Sequence, residues 1–374
     1  MNRRQFLKTS ALALALTPIP GRALAAQMSA QTESGNGTGM TLAQAAAKPG
    51  LLYGSPLFPD DFQKPDYLKL FTTQVSIVTN TIYMSVTQPT RDTWNLSGFD
   101  NVRAFAKAHK LKMRGHPLVW HQTLPDWTHT ISSAAEAKQV LHNRIVKLVG
   151  QYKGDFQSWD VVNEAVSPHA KNADHLVSCI WTKQLGVEYL DYAFHVARDT
   201  DHHALLTYND YGTEDDSDSS QAKRELVFDL LKGMIKRKVP LHAVGLQSHL
   251  TGGRTFKTLP DWIKRLKSLK LHVFITELDV ADKSFPSDQA ERDKLVAKTY
   301  SDFLRSALST RQIEIALTWG LADPYSWLQT VPWAKRADGL PQRPLPFGDK
   351  MEPTTVFYAM ESAFLNAPHR GFRW

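Results

Sequence analysis

Eight short strand-like runs recur between positions 52 and 319, several of them rich in apolar and β-branched residues, and most end in polar residues. They are Leu52–Ser55, Val75–Val78, Lys112–His116, Phe156–Val162, Ala204–Asn209, Ala243–Gln247, His272–Glu277 and Glu314–Trp319. Runs this short and this apolar read as strands buried on both faces, the condition of a parallel sheet. Longer amphipathic stretches separate most of them. In Ala134–Val149, residues Ala137, Val140, Leu141, Ile145 and Leu148 fall at helical spacing, and Leu226–Lys238 and Asp293–Leu308 read the same way. Eight such units in a chain of 374 residues predict an α/β fold, a single (β/α)8 barrel with helices outside a closed parallel sheet. A doubly wound open sheet is the alternative, but no glycine-rich phosphate loop follows the first run.

In such a barrel, chemistry sits at the C-terminal ends of the strands. The run from Trp159 to Ala165 ends in Asn163-Glu164, and the run from Leu271 ends in Thr276-Glu277. A carboxylate closing a buried strand is costly unless it faces a cleft or a partner. A lone Asn-Glu pair could simply cap a loop. Two acids on different strands can instead face each other across the barrel mouth. Glycosidic bond hydrolysis needs such a pair: one acid protonates the leaving oxygen, and one carboxylate attacks or activates water. Strict alternation would place Asn163 and Glu164 on opposite faces. Both reach the site only if the chain bulges there, and a bulge is expected.

With these two stretches stand Arg114-Gly115-His116-Pro117-Leu118-Val119-Trp120-His121, Tyr208-Asn209-Asp210-Tyr211 and Gly245-Leu246-Gln247-Ser248-His249-Leu250. Together and in this order, from about residue 50 to the C-terminus, they resemble glycoside hydrolase family 10, the retaining endo-β-1,4-xylanases. The resemblance implies cleavage of internal β-1,4-xylosidic bonds by double displacement. It implies Glu164 as general acid/base and Glu277 as nucleophile, with the carboxyls at the ends of strands four and seven. It also implies that Asn163 binds the sugar 2-hydroxyl, that His249 orients Glu277, and that Gln247 lies near Glu164. His116, Trp120, Tyr211, Trp319 and Trp327 complete the expected substrate-binding set, since aromatic rings cover the apolar faces of sugars. His121 and Asp279 are expected to support the site from behind, and Trp159 to belong to the core.

The remaining composition narrows the partners. Residues 1–25 hold Arg3, Arg4, Lys8 and Arg22 and no acid; without them the net charge falls from +7 to +3. No basic block with interleaved aromatics is visible, which argues against nucleic acid as a partner. The single cysteine, Cys179, cannot form an internal disulfide and reads as a small buried hydrophobe. His116 and His121 lack the helical spacing of zinc proteases; no metal and no cofactor are expected. Asn2-Arg3-Arg4-Gln5-Phe6-Leu7-Lys8, an apolar core from Ala11 to Leu16, and Ala23-Leu24-Ala25 read as a twin-arginine-type signal peptide over 1–25. Export to the periplasm or outside the cell follows, with no membrane partner after cleavage. Residues 26–48 read as a linker or disordered arm, ending at most in a short helix. Residues 49–374 read as the catalytic barrel, a monomer acting on a polysaccharide or oligosaccharide such as xylan.

One segment departs from the family pattern. Where relatives carry Glu-Asn-x-Met-Lys-Trp after the second strand, this chain reads Thr81-Ile82-Tyr83-Met84-Ser85-Val86, retaining only Met84, and the stretch to Pro89 is about two residues short. The family's polar residues hold the glycone sugars. Ser85 is too short to reach where a lysine would, and Lys48 or Lys112 are the candidate replacement cations. This departure keeps open a second hydrolase reading, a barrel glycosidase acting on another β-glycan or a decorated glycoside. A third reading is an exported glycan-binding protein without activity, against which the retention of both glutamates argues.

Overall fold

The computed structural model describes residues 37–371. The stretch expected to be a signal sequence, 1–25, lies outside them, as do residues 26–36 of the expected arm.

Eight parallel strands close on themselves. They are β1 (Leu52–Leu57), β2 (Ile77–Thr81), β3 (Lys112–His116), β4 (Ser158–Asn163), β5 (Leu205–Asp210), β6 (Ala243–Leu246), β7 (His272–Ala281) and β8 (Ile313–Thr318). Each pairs with its sequence neighbour, and β8 pairs with β1 through Leu52 opposite Ile315, which shuts the barrel. The expected (β/α)8 architecture is therefore the one observed. β7 runs four residues beyond the expected Glu277, because a short strand at His249–Thr251 pairs with Asp279, Val280 and Ala281.

The outer helices include α1 (Leu42–Ala47), α2 (Pro65–Thr73), α3 (Ser97–Ala108), α4 (Ala134–Gln151), α5 (Ile180–Leu185), α6 (Glu188–Thr200), α7 (Asp218–Lys236), α8 (Leu259–Ser268), α9 (Gln289–Leu308) and α10 (Thr355–Leu365). Ser133 caps α4 and Asp288 caps α9 with side-chain oxygens that accept from the third-residue amides. The predicted stripe of α4, from Ala137 to Leu148, is the face it buries. Helix α1 falls inside the stretch read as linker. Thr41 and Gln44 form a reciprocal capping box, and Leu42, Ala45 and Ala46 are fully buried against the ordered body. That apolar stripe, brief as it is, makes 42–47 part of the barrel domain.

The inside of the barrel is layered. A small apolar plug of Leu52, Ile77, Ala243, Phe274 and Ile315 fills the end where the strands begin. Toward the other end the buried interior turns polar, with Thr79, Arg114, Ser158, Asp160 and Thr207. Arg114 pairs with Asp160, and both are completely buried. This polar layer is the floor on which the strand-end residues stand.

Candidate active site

Local backbone distortions aim the two glutamates. The β4–β5 register slips between Asp160 and Val162, and Glu164 takes a left-handed conformation with φ 56°. A non-glycine residue there is uncommon and carries strain. The expected bulge is present, and it turns Asn163 and Glu164 toward the same point: the Gln247 side-chain amide donates to Asn163 Oδ1 at 3.2 Å and to Glu164 Oε1 at 2.9 Å. Beside Glu277 the β7–β8 register slips as well, between Ala316 and Thr318.

Three side chains join the carboxyls in one line. Gln247 links Glu164 to Asn163, and Asn209 links Asn163 to Glu277, donating to Asn163 Oδ1 at 2.9 Å and to Glu277 Oε1 at 2.7 Å. Thr276 donates to Asn209 Oδ1 at 2.7 Å, which fixes the amide with its nitrogen toward Glu277. A Cβ on Gly245 would sit 2.1 Å from Asn209 Oδ1, so only glycine leaves room for this residue. Asn163 Oδ1 accepts two bonds, leaving its NH2 as the group free to meet a sugar hydroxyl.

The environments of the two carboxyls differ. Glu164 is 8% exposed. It accepts from Trp120 Nε1 at 2.8 Å, and its charge acts on the Tyr211 phenol. Burial, opposed by the Gln247 bond and reinforced by the charge of Asp210, pushes the Glu164 carboxyl above its ordinary value. Glu277 is also buried, and burial alone would raise it. The charge of His116 and the bonds from His249 and Asn209 outweigh burial and hold Glu277 below the usual carboxylate range. His249 Nε2 faces Glu277 Oε2 at 3.2 Å, and its Nδ1 faces Asp279 Oδ1 at 2.9 Å. Burial disfavours a charged imidazole, but Asp279 and Glu277 raise His249 well above its ordinary value. Such an imidazolium donates from both nitrogens. Two carboxyls pushed in opposite directions form the arrangement that supplies one acid and one base at the same pH.

The aromatic walls close around this line. Trp319 lies edge-on to His116, with ring centroids 5.3 Å apart, and Trp327 packs 4.8 Å from His249 while donating to Asp279 at 2.6 Å. Tyr211 is 47% exposed, and the Lys223 ammonium sits 3.7 Å from its ring centre while bonding Asp210 at 2.7 Å. His116 Nδ1 meets Asp160 at 2.8 Å. All the candidate residues therefore gather at one end of the barrel. His121 stands behind Glu164 through a backbone bond, and Trp159 is fully buried. Cys179 is half-buried, at the N-cap of α5.

These observations align with the comparisons. Residues 41–363 match the sequence model of "Glycosyl hydrolase family 10". The chain belongs to glycosyl hydrolase family 10. It is 33% identical over 291 residues to a β-1,4-xylanase of Dictyoglomus thermophilum, covering 75% of this chain and 78% of that one. It is 31% identical to endo-1,4-β-xylanase B of Paenibacillus barcinonensis, covering 72% and 82%. Among solved structures it resembles native xylanase 10B of Thermotoga maritima, with a TM-score of 0.78, 26% identity, and coverage of 87% of this chain and 98% of that one. Xylanase 10B of Thermotoga petrophila RKU-1, solved with xylobiose, gives a TM-score of 0.78, 25% identity, and coverage of 88% and 98%.

Several partners of this family 10 site were not singled out from the sequence. Asn209, Asp160 and Arg114 are buried polar groups within the quoted motifs, and Gln122, an exposed residue one past them, donates to Glu164 Oε2 at 3.4 Å. The signal of the three buried groups was present as polar residues inside otherwise apolar strands. The departing segment is also reordered. Ile82 is fully buried, and its carbonyl accepts from Arg144 at 2.5 Å, so it does not form a cleft wall. Tyr83 does: its ring lies 5.7 Å from Trp120 and 6.1 Å from His116. Burial, then the charges of Glu277 and Glu164, push its phenol well above the ordinary value, which places that group in the field of both carboxyls. Neither candidate replacement cation is near. Lys112 opens β3, at the opposite end of that strand from His116, and Lys48 caps α1 just before β1 begins. The cations on the loops flanking the segment are engaged elsewhere, Lys64 with Asp61 at 2.8 Å and Arg91 with Glu136 at 2.7 Å.

Proposed function

We propose that this protein is a retaining endo-β-1,4-xylanase. The observation that carries the reading is the line Glu164–Gln247–Asn163–Asn209–Glu277, with the two carboxyls shifted in opposite directions. Glu277, held ionised, attacks the anomeric carbon. Glu164, its carboxyl raised by burial, gives its proton to the departing glycosidic oxygen, then takes a proton from the water that releases the glycosyl-enzyme. Asn163, with its NH2 turned to the cleft, binds the 2-hydroxyl, a contact that strengthens as positive charge develops on the sugar ring. His116, Trp120, Tyr211, Gln247, His249, Trp319 and Trp327 hold and cover the sugars. Named xylanases among the relatives support xylan as the substrate.

A second reading is favoured by one observation. The segment 81–86 places no charged side chain beside the cleft and puts Tyr83 there instead. Such a wall suits a decorated sugar or another β-glycan better than a bare xylose held by a cation. Product analysis on xylans, β-glucans, mannans and aryl glycosides tests both. Xylo-oligosaccharides from unsubstituted xylan support the first reading; turnover confined to decorated xylan or glucan supports the second; binding without turnover of any substrate refutes both.

A further inference from the structure

Trp333 is among the most exposed large apolar side chains of the described residues, at 48%. It is not adrift. Its ring lies 5.6 Å from that of Trp327 at an interplanar angle of 65°, and Trp327 in turn packs on His249. The aromatic file that begins beside Glu277 thus continues outward without a gap to a ring open to solvent.

The loop carrying Trp333 is anchored from beneath. Trp333 sits in the short helical turn Pro332–Ala334. Its carbonyl accepts from Lys283 at 2.6 Å, with the same ammonium 5.8 Å from the ring centre. Buried Gln342 donates to the Ala334 carbonyl, and its own oxygen accepts from the Asp282 amide at 2.8 Å. Buried Arg336 bonds the Asp282 carbonyl at 2.5 Å, the Phe285 carbonyl at 2.9 Å and Asp338 at 2.6 Å. These bonds tie the loop after β8 to the loop after β7. An aromatic ring left in water on a fixed loop loses little further entropy on binding.

We propose that Trp333 is an outlying sugar platform, an added subsite that stacks on a pyranose of a β-1,4-linked chain continuing past the unit covered by Trp327. The occupant is the substrate chain itself, because the platform is continuous with the cleft. A pyranose offers an apolar C–H face to such a ring. The inference rests on the reading of the cleft as a β-1,4-glycan site.

The test compares wild type with Trp333→Ala and Trp333→Phe on ladders of two to six sugars, in both the xylose and the glucose series. The quantity read is the ratio of kcat/KM on the hexamer to that on the dimer's aryl glycoside. Trp333→Ala is expected to lower this ratio roughly five- to tenfold, the size of one aromatic contact, with Trp333→Phe recovering most of it. An unchanged ratio, or equal loss on long and short substrates, overturns the platform. If wild type turns over only the glucose ladder, the xylan reading fails while the platform is judged on that series. If the inactive variant Glu277→Gln binds neither ladder, both are overturned.

Discussion

Asn209 donates its side-chain amide to Glu277 at 2.7 Å and shares the same nitrogen with Asn163 at 2.9 Å. A residue of β5 thus couples Asn163 on β4 to a carboxylate on β7, and neither can turn without disturbing the other. Gln247 does the same from the other side, coupling Asn163 to Glu164.

These couplings predict how the pH–rate profile moves. In the proposed mechanism activity needs Glu277 ionised and Glu164 protonated, so the acid limb should follow Glu277 and the basic limb Glu164. The Asn209 bond lowers Glu277, and the Gln247 bond lowers Glu164. Asn209→Leu should therefore move the acid limb of kcat/KM to higher pH. Gln247→Leu should move the basic limb to higher pH and leave the acid limb in place. A hydrogen bond to a charged group contributes about 1.5–3 kcal/mol, so each variant should also lose roughly ten- to a hundredfold in kcat/KM. Limbs that stay put in both variants would dissociate these amides from the carboxyls' titration.

Retention of configuration is the second expectation. Glu277→Ala should abolish turnover, and proton NMR of wild-type hydrolysis should show the β-anomer first from a β-linked substrate. An initial α-anomer would exclude double displacement through Glu277.

Glu164 should divide substrates by leaving group. In Glu164→Ala, hydrolysis of natural glycosides should fall by a factor of about a hundred or more, while aryl glycosides with acidic phenols lose far less, because only the former need a proton. Equal losses on both classes would remove Glu164 from the acid role.

The rebuilt wall after β2 predicts weak binding of short, undecorated chains. Wild type should show low kcat/KM on xylotriose relative to xylohexaose, and Ser85→Lys should improve xylotriose most. Tyr83→Phe keeps the ring against Trp120 and removes only the phenol, so it isolates any hydrogen bond that group gives the sugar. Efficient xylotriose cleavage by wild type, unchanged in Ser85→Lys, would contradict the rebuilt-wall reading.

Arg144 should hold that wall in place. From α4 it donates to the Leu118 carbonyl at 2.9 Å, the Ile82 carbonyl at 2.5 Å and the Thr87 hydroxyl at 3.3 Å, clamping the loop after β2 to the loop after β3. Arg144→Leu removes the side-chain donor to the Leu118 carbonyl and leaves the Ile82 carbonyl only the Thr87 hydroxyl, and a buried acceptor left unpaired costs about 1–3 kcal/mol. A lower denaturation midpoint and faster amide exchange over 81–88 are expected. A change in the midpoint alone, with exchange over 81–88 unaltered, would deny the clamp.

The barrel, and the two acids that end its strands, were legible in the chain alone. Strand and helix periodicities are local, and a carboxylate ending an apolar run is costly enough to mark itself, as Glu164 and Glu277 do. The extent of the domain was less so: α1 has too few apolar residues to stand out from a linker until α10 and β1 bury them. What only the tertiary structure decided is which side chains meet. Asn209 reads as one polar residue in a motif, and its double bridge exists because Gly245 on the neighbouring strand clears its path. Ile82 and Tyr83 are adjacent, yet one enters the core and the other the cleft, a choice made by the Arg144 clamp from a helix some sixty residues later. Hydrophobic period is a property of neighbours in sequence; hydrogen-bond partnership across a closed sheet is a property of neighbours in space, and it appears only once the barrel has closed.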